Sequence, residues 1–163
     1  GRGTLVVVGS AHPTAHAQIE HAVASADLDA ALRVPLASPT QAGIDAARAV
    51  GAGRSLALVP PAFDAAHDSG AVLRAMRQAA LTALARARPA GIVLVGGETA
   101  FQVLEGLGHP GLWVEARPFP LVVRSRVLGG GLDGLPLVTK GGSSGGVGLL
   151  AQVLREMRHE VQR

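Results

Sequence analysis

The chain carries 163 residues, 48% of them apolar, and a formal net charge of +3; it has no cysteine, no tyrosine, one tryptophan and three phenylalanines. Without cysteine there is neither a disulfide nor thiolate chemistry, and no apolar run reaches the ~18 residues of a membrane span. The aromatics that would stack bases are nearly missing and no basic run forms a patch, so neither a membrane nor a nucleic acid is an expected partner.

The length fits one domain with a core of its own. Its apolar mass is Ala, Val and Leu, which suits parallel strands covered by alanine-rich helices. The opening "GRGTLVVVGS" has no signal-peptide pattern and no initiator Met, and it enters a strand almost at once. A cytoplasmic domain cut from a longer chain is the expectation.

"TLVVV" (4–8) reads as a strand ended by the turn "GSAHP". Helical spacing follows in "AHAQIEHAVASADL", with Ile19, Val23 and Ala26 on one face. "LRVPL" is a second strand weakened by Pro35, and "SPTQAGIDAARAVGAG" is a helix opened by a cap signal and closed by glycines. "SLALV" is the third strand, and "PPAFDAAHDSG" after it a loop. "AVLRAMRQAALTALARAR" is the longest helical pattern, and Arg74, Arg77, Arg86 and Arg88 lie along it. "GIVLV" is a buried strand that ends in "GGETA" and runs into the helix "FQVLEGLG", with a glycine at its C-terminus. "LWVEA" and "LVVRSRV" are shorter strands; "LPLVTK" is the last, and "GGSSGG" leads from it to the terminal helix. Strands alternating with helices in this way predict a single α/β domain, a layered and largely parallel sheet with helices on both faces.

In such a sheet ligands sit outside the carboxyl ends of the strands. Three strand-to-helix turns are small and polar here: Gly9-Ser10, Gly96-Gly97-Glu98-Thr99, and the run Gly141 to Gly146 that includes Gly142 and Gly145. Glycine lets backbone N–H groups approach an anion closely, and helix N-termini add partial positive charge. Lys140, the only lysine of the chain, stands at the mouth of the last turn. The combination favours a phosphate group. None of the turns is a Walker A motif, and no G-x-G-x-x-G follows the first strand, which argues against a dinucleotide-dependent oxidoreductase.

Each candidate has a plainer role beside the functional one. Ser10 donates its hydroxyl to a phosphate or caps the next helix. Glu98 holds Mg²⁺ or complements the helix dipole. Thr99 bonds a phosphate or caps its helix. Lys140 is a point charge for phosphate or an exposed lysine at a strand end. His12, His16 and His21 lack the Cys or carboxylate that would complete a zinc set, so a solvated helix face is expected. Asp64, His67 and Asp68 read as an exposed loop, and Trp113 and Phe101 as core.

"GGETAFQVLEGLG" resembles the signature G-G-(D/E)-T-x-x-x-V-L-x-x-L-G in the C-terminal, nucleotide-binding domain of the four-carbon acid sugar kinases. "LVVVGSAHPTAHAQIE" is similar to that family's opening strand and its G-S-x-(S/N)-P turn, with Gln18-Ile19 recurring in the helix. "PLVTKGGSSGG" takes the place of the closing K-(S/A/G)-G-N-F-G loop, with Ser143-Ser144 where Asn-Phe is common and His12 where Ser or Asn is usual. The resemblance spans Leu5 to Gly146. It implies an ATP-dependent kinase of four-carbon sugar acids such as erythronate and threonate. ATP would be held by Ser10, by Gly96, Gly97, Glu98 and Thr99, and by the loop around Gly142 and Gly145, with Mg²⁺ at Glu98. It further implies that residues 1–163 are the nucleotide half of a two-domain enzyme, inactive alone, whose N-terminal sugar-acid domain and catalytic base lie elsewhere. Assembly into a homo-oligomer is left open. The rival is a standalone nucleotide- or phosphate-binding module without catalysis.

Overall fold

A computed structural model describes residues 2–61 and 68–161. Among these the elements are β1 (Thr4–Val8), α1 (Pro13–Ala24), β2 (Ala30–Arg33), α2 (Pro39–Gly51), β3 (Leu56–Val59), α3 (Ser69–Arg86), β4 (Gly91–Val95), α4 (Gly97–Gly106), β5 (Gly111–Phe119), β6 (Val122–Leu128), a 3-10 turn at Gly130–Leu132, β7 (Pro136–Lys140) and α5 (Leu149–Val161). The strands form one sheet in the order β2-β3-β1-β4-β7-β6-β5. The first five in that order are parallel to one another, while β6 and β5 run antiparallel at one end.

Period-two alternation sends the side chains of each central strand to two cores. Leu5 and Val7 of β1, with Ile92 and Leu94 of β4, pack under α2, α3 and α4. Val6, Val8, Val93 and Val95 pack under α1 and α5. Both faces of β1 and β4 are therefore buried, which is why, after Thr4 and Gly91, their sequences are apolar throughout. Alanine supplies the helix faces, Ala75, Ala79, Ala80 and Ala83 on α3 and Ala42, Ala46 and Ala49 on α2, so that these helices lie close to each other and to the sheet.

Several local expectations are corrected. Helix α1 starts at Pro13, two residues before the expected stretch at Ala15, and buries Ala15, Gln18, Ile19 and Ala22; Val23 is exposed and Ala26 lies beyond the helix at φ 57°. Pro13 takes N1, where its missing N–H loses no bond, and the buried stripe follows the 15/18/19/22 spacing, which leaves Val23 at its edge. Trp113 and Phe101 do not fill the core: they are 65% and 55% exposed. Trp113 sits on the outermost strand, and Phe101 on the outer face of α4. β2 stops at Arg33, before the sequence reaches Pro35, and β5 continues through Pro118 to Phe119, as an edge strand can because its outer N–H groups need no partner. The terminal helix begins at Leu149, two residues after the serine-glycine run and Val147. Arg88 lies past the end of α3 and donates to the carbonyls of Gly131 and Asp133, both at 2.6 Å. Asp64 and His67 lie outside the described residues.

The α1–β2 connection is locked to α5 by charge. Asp27 is buried and accepts from Ser25 at 2.8 Å, from Arg155 at 2.7 Å and from Arg158. Burial pushes its carboxyl pKa up, but the hydrogen bonds from Arg155, Ser25 and Arg158 outweigh that and hold it at about 2.

Candidate functional site

β1 and β4 are adjacent and parallel, yet the chain leaves them toward opposite faces: α1 on one side, α4 on the other. That divergence is the topological switch point, and it opens a crevice at the carboxyl edge of the sheet. A cavity of about 600 Å³ occupies it, within the ~300–1,000 Å³ usual for small-molecule sites. The ends of β1, β3, β4 and β7 all contribute to its wall.

The three glycine-rich turns meet there at contact distance. A Cβ on Gly9 would overlap the Oγ1 of Thr99, so the β1 turn can lie on the first turn of α4 only because residue 9 has none. A Cβ on Gly142 would likewise overlap the Cβ and Oγ of Ser10, which brings the β7 loop onto the β1 turn. Gly96 reverses the chain at φ 103°, a conformation that excludes other residues at little cost, and starts α4 directly at Gly97. The first intrahelical bond of α4 is donated by Ala100 to Gly96. The N–H groups of Gly97, Glu98 and Thr99 therefore have no intrahelical acceptor, and all three residues line the cavity.

The roles left open for single side chains resolve in part. Ser10 does not cap α1: the N-cap is His12, whose Nδ1 accepts from the Thr14 N–H at 3.2 Å. The Ser10 hydroxyl accepts from the His12 N–H at 3.1 Å and keeps its own proton to donate at the cavity wall. Thr99 does not cap α4 either; it is buried at the third helical position and packs against Gly9. Glu98 is exposed at the rim, where it accepts from the Gln102 amide at 3.3 Å. Asp68 caps α3 by accepting from Gly70 N–H at 3.1 Å.

Lys140 stands apart from the others. It is not an exposed strand-end lysine, being 3% exposed, and its side chain does not reach the cavity wall. Its Nζ lies behind the loop and donates to the Gly141 carbonyl at 2.7 Å. Burial disfavours the charged amine and brings its pKa down from 10.5 to about 8. Gly145 also lies off the wall, with φ 84° and its Cα facing Leu149 of α5. The structure thus gathers Ser10, Gly96, Gly97, Glu98, Thr99 and Gly142 around one space and puts Lys140 and Gly145 behind it.

Some of the wall was not anticipated. Pro60 and Pro61 after β3, with Val72 and Leu73 of α3, give the cavity an apolar side opposite the glycines. His12 and His16 also line it, while His21 lies in a separate surface hollow beside Gly148. Among the described residues no three His, Cys, Asp or Glu side chains form a metal-holding group.

The arrangement has a family. The model of the nucleotide-binding C-terminal domain matches residues 5–150. The chain belongs to that family. Two crystal structures of a Bordetella bronchiseptica protein described as a domain of unknown function, DUF1537, both domain-swapped dimers with bound citrate, superpose on this nucleotide-binding domain. One has 28% identity and a TM-score of 0.75 over 96% of the chain, the other 26% and 0.77 over 97%. A DUF1537 protein of Haemophilus influenzae, 17% identical with a TM-score of 0.68 over 94% of the chain, shares the fold. The chain spans about two-fifths of each neighbour, 41%, 40% and 40% in turn. No curated protein matches it. Within the domain, no described helix is long and apolar enough to cross a membrane.

Proposed function

We propose that this domain is the ATP-binding half of a kinase that phosphorylates four-carbon sugar acids of the erythronate and threonate type. The observation that carries the proposal is the convergence of three glycine-rich turns, each after a parallel strand, on one cavity bordered by N–H groups at the start of α4 that have no acceptor among the described residues. The match to a nucleotide-binding family supports the ligand class, and the resemblance of "GGETAFQVLEGLG" to the sugar-acid kinase signature supports the substrate.

In this reading the phosphates lie against Ser10, Gly96, Gly97, Thr99 and Gly142, and the nucleoside against Pro60, Pro61, Val72 and Leu73. The α4 N-terminus and the Ser10 hydroxyl meet negative charge with donors fixed before it arrives, which is the kind of stabilisation that phosphoryl transfer rewards. Glu98 is the residue assigned to Mg²⁺. A lone rim carboxylate suits an ion that takes most of its oxygens from water and phosphate. When bound, Mg²⁺ supplies charge neutralisation at the triphosphate. Lys140 adds positive field from behind the loop and fixes the Gly141 carbonyl away from the anion. The sugar acid and the base that accepts its hydroxyl proton belong to a second, N-terminal domain, and closure of the two domains brings the substrates together.

The full-length protein that contains this domain should convert Mg-ATP and a four-carbon sugar acid to ADP and a phosphorylated acid, read by coupled ADP release and by product mass. Release of ADP with none of erythronate, threonate or their 2-keto relatives, in a protein that still binds ATP, would leave a binding module and remove the kinase assignment.

A further inference from the structure

Gln18 is the one polar side chain on the buried face of α1, between Ala15, Ile19 and Ala22, and it is 1% exposed. A primary amide in that position is costly unless its hydrogen bonds are made. They are made to a segment 126 to 128 residues away: Nε2 donates to the carbonyls of Ser144 at 3.0 Å, Gly146 at 2.9 Å and, at 3.4 Å, Gly145. Three carbonyls can face only the NH₂ end of the amide, so its orientation is settled by its neighbours.

The same loop has its first carbonyl tied as well. Gly141 O accepts from Lys140 Nζ at 2.7 Å and from the Ser144 hydroxyl at 2.9 Å. Four of the carbonyls between Gly141 and Gly146 are thus drawn to the protein side. The N–H groups of Gly142 and Ser143, which line the cavity, have no acceptor among the described residues. A flexible, glycine-rich loop could present either pole of its peptide groups to a ligand, and an anion is attracted by one and repelled by the other.

We infer that Gln18 is a positioning residue for the anion-binding loop: by holding three successive carbonyls from beneath, it anchors the limb of the loop that follows Gly142 and Ser143 and so fixes those two residues at the cavity wall. The inference rests on the nucleotide reading of that cavity and adds to it a residue that touches no ligand. Gln18 acts through the loop, and so its removal should cost affinity for phosphate without costing the fold.

Two variants test this. Gln18→Met keeps length and volume, places an apolar side chain on an apolar helix face, and removes the donors. Gln18→Glu keeps the shape and turns oxygens toward the carbonyls. Binding of inorganic tripolyphosphate and of Mg-ATP is measured by calorimetry well below the melting temperature, beside thermal melts of each ligand-free protein. The expected result is a melting point for Gln18→Met at or above that of wild type, together with a dissociation constant for tripolyphosphate raised at least tenfold. Gln18→Glu should bind more weakly still. Undiminished binding by Gln18→Met, or a loss of affinity that merely tracks a loss of stability, overturns the positioning role and leaves the nucleotide site standing. Failure of the wild-type protein to bind either polyphosphate overturns the site, and this inference with it.

Discussion

Lys140 makes the alkaline stability of the domain a single-residue measurement. The chain has one lysine, no tyrosine and no cysteine, so almost nothing else titrates between about pH 8 and 10.5. The folded-state pKa of Lys140 is lowered to about 8 by burial, against 10.5 for a solvated amine. Between those values the unfolded chain binds a proton that the folded chain does not, so stability rises with pH. At about 1.4 kcal/mol for each pH unit, the buried charge disfavours the folded state by about 3 kcal/mol at neutral pH, and the penalty is gone above 10.5. Urea unfolding at constant ionic strength, read at steps from neutral pH to pH 10.5, should show the midpoint climbing across this window. Lys140→Met should flatten the profile and be no less stable than wild type at neutral pH, because the relieved desolvation exceeds the lost bond to the Gly141 carbonyl. A wild-type midpoint that does not move between pH 8 and 10.5 would refute the desolvated lysine.

The acid limb should have its own signature: Asp27, held at about 2 against 3.8, contributes on the order of 2 kcal/mol at neutral pH, fully present above about pH 4 and lost as the pH falls through 2. Asp27→Asn should remove that limb in acid-unfolding curves, and an unchanged curve would count against the Asp27–Arg155–Arg158 lock. Gly142→Ala should destabilise the fold by about 1–3 kcal/mol, since its methyl would overlap Ser10, whereas in a Ser10→Gly background the same change should be nearly neutral; equal costs in the two backgrounds would deny the contact between the loops. Trp113→Ser should change the unfolding free energy read from urea curves by no more than about 0.5 kcal/mol because the ring is 65% exposed, and a cost of several kcal/mol would mean that it is covered.

The parallel half of the fold was legible because its signals are local. Apolar runs of four residues, alternating with helical spacing and punctuated by glycine and proline, define β1, β4 and the helices between them without reference to distant partners. The same locality exposed the three turns, since strand, glycines and helix start lie within ten residues of each other at each one. What stayed hidden depends on long-range placement. Trp113 reads as core by its rarity and size, but the sheet order puts it on the last strand. Lys140 reads as a phosphate contact or an exposed strand end by its charge, yet it is buried and donates to the Gly141 carbonyl. Gln18 was visible only through the Gln18-Ile19 pair of the family resemblance; its partners are more than a hundred residues further on. Asp27 met its arginines across a comparable distance.

The central claim, that the switch-point cavity receives the phosphates of a nucleotide, is most directly tested by a thermal-melt titration of this domain with Mg-ATP, beside Gly97→Val. Gly97 lines the cavity and a Cβ there meets no atom within 4 Å, so valine would fill ligand space without straining the fold. A nucleotide site predicts a saturable rise in melting temperature for wild type, equivalent to about 2.7 kcal/mol at ~100 times the dissociation constant, and none for Gly97→Val. No rise for the wild type at millimolar Mg-ATP, or an equal rise in the variant, would contradict it.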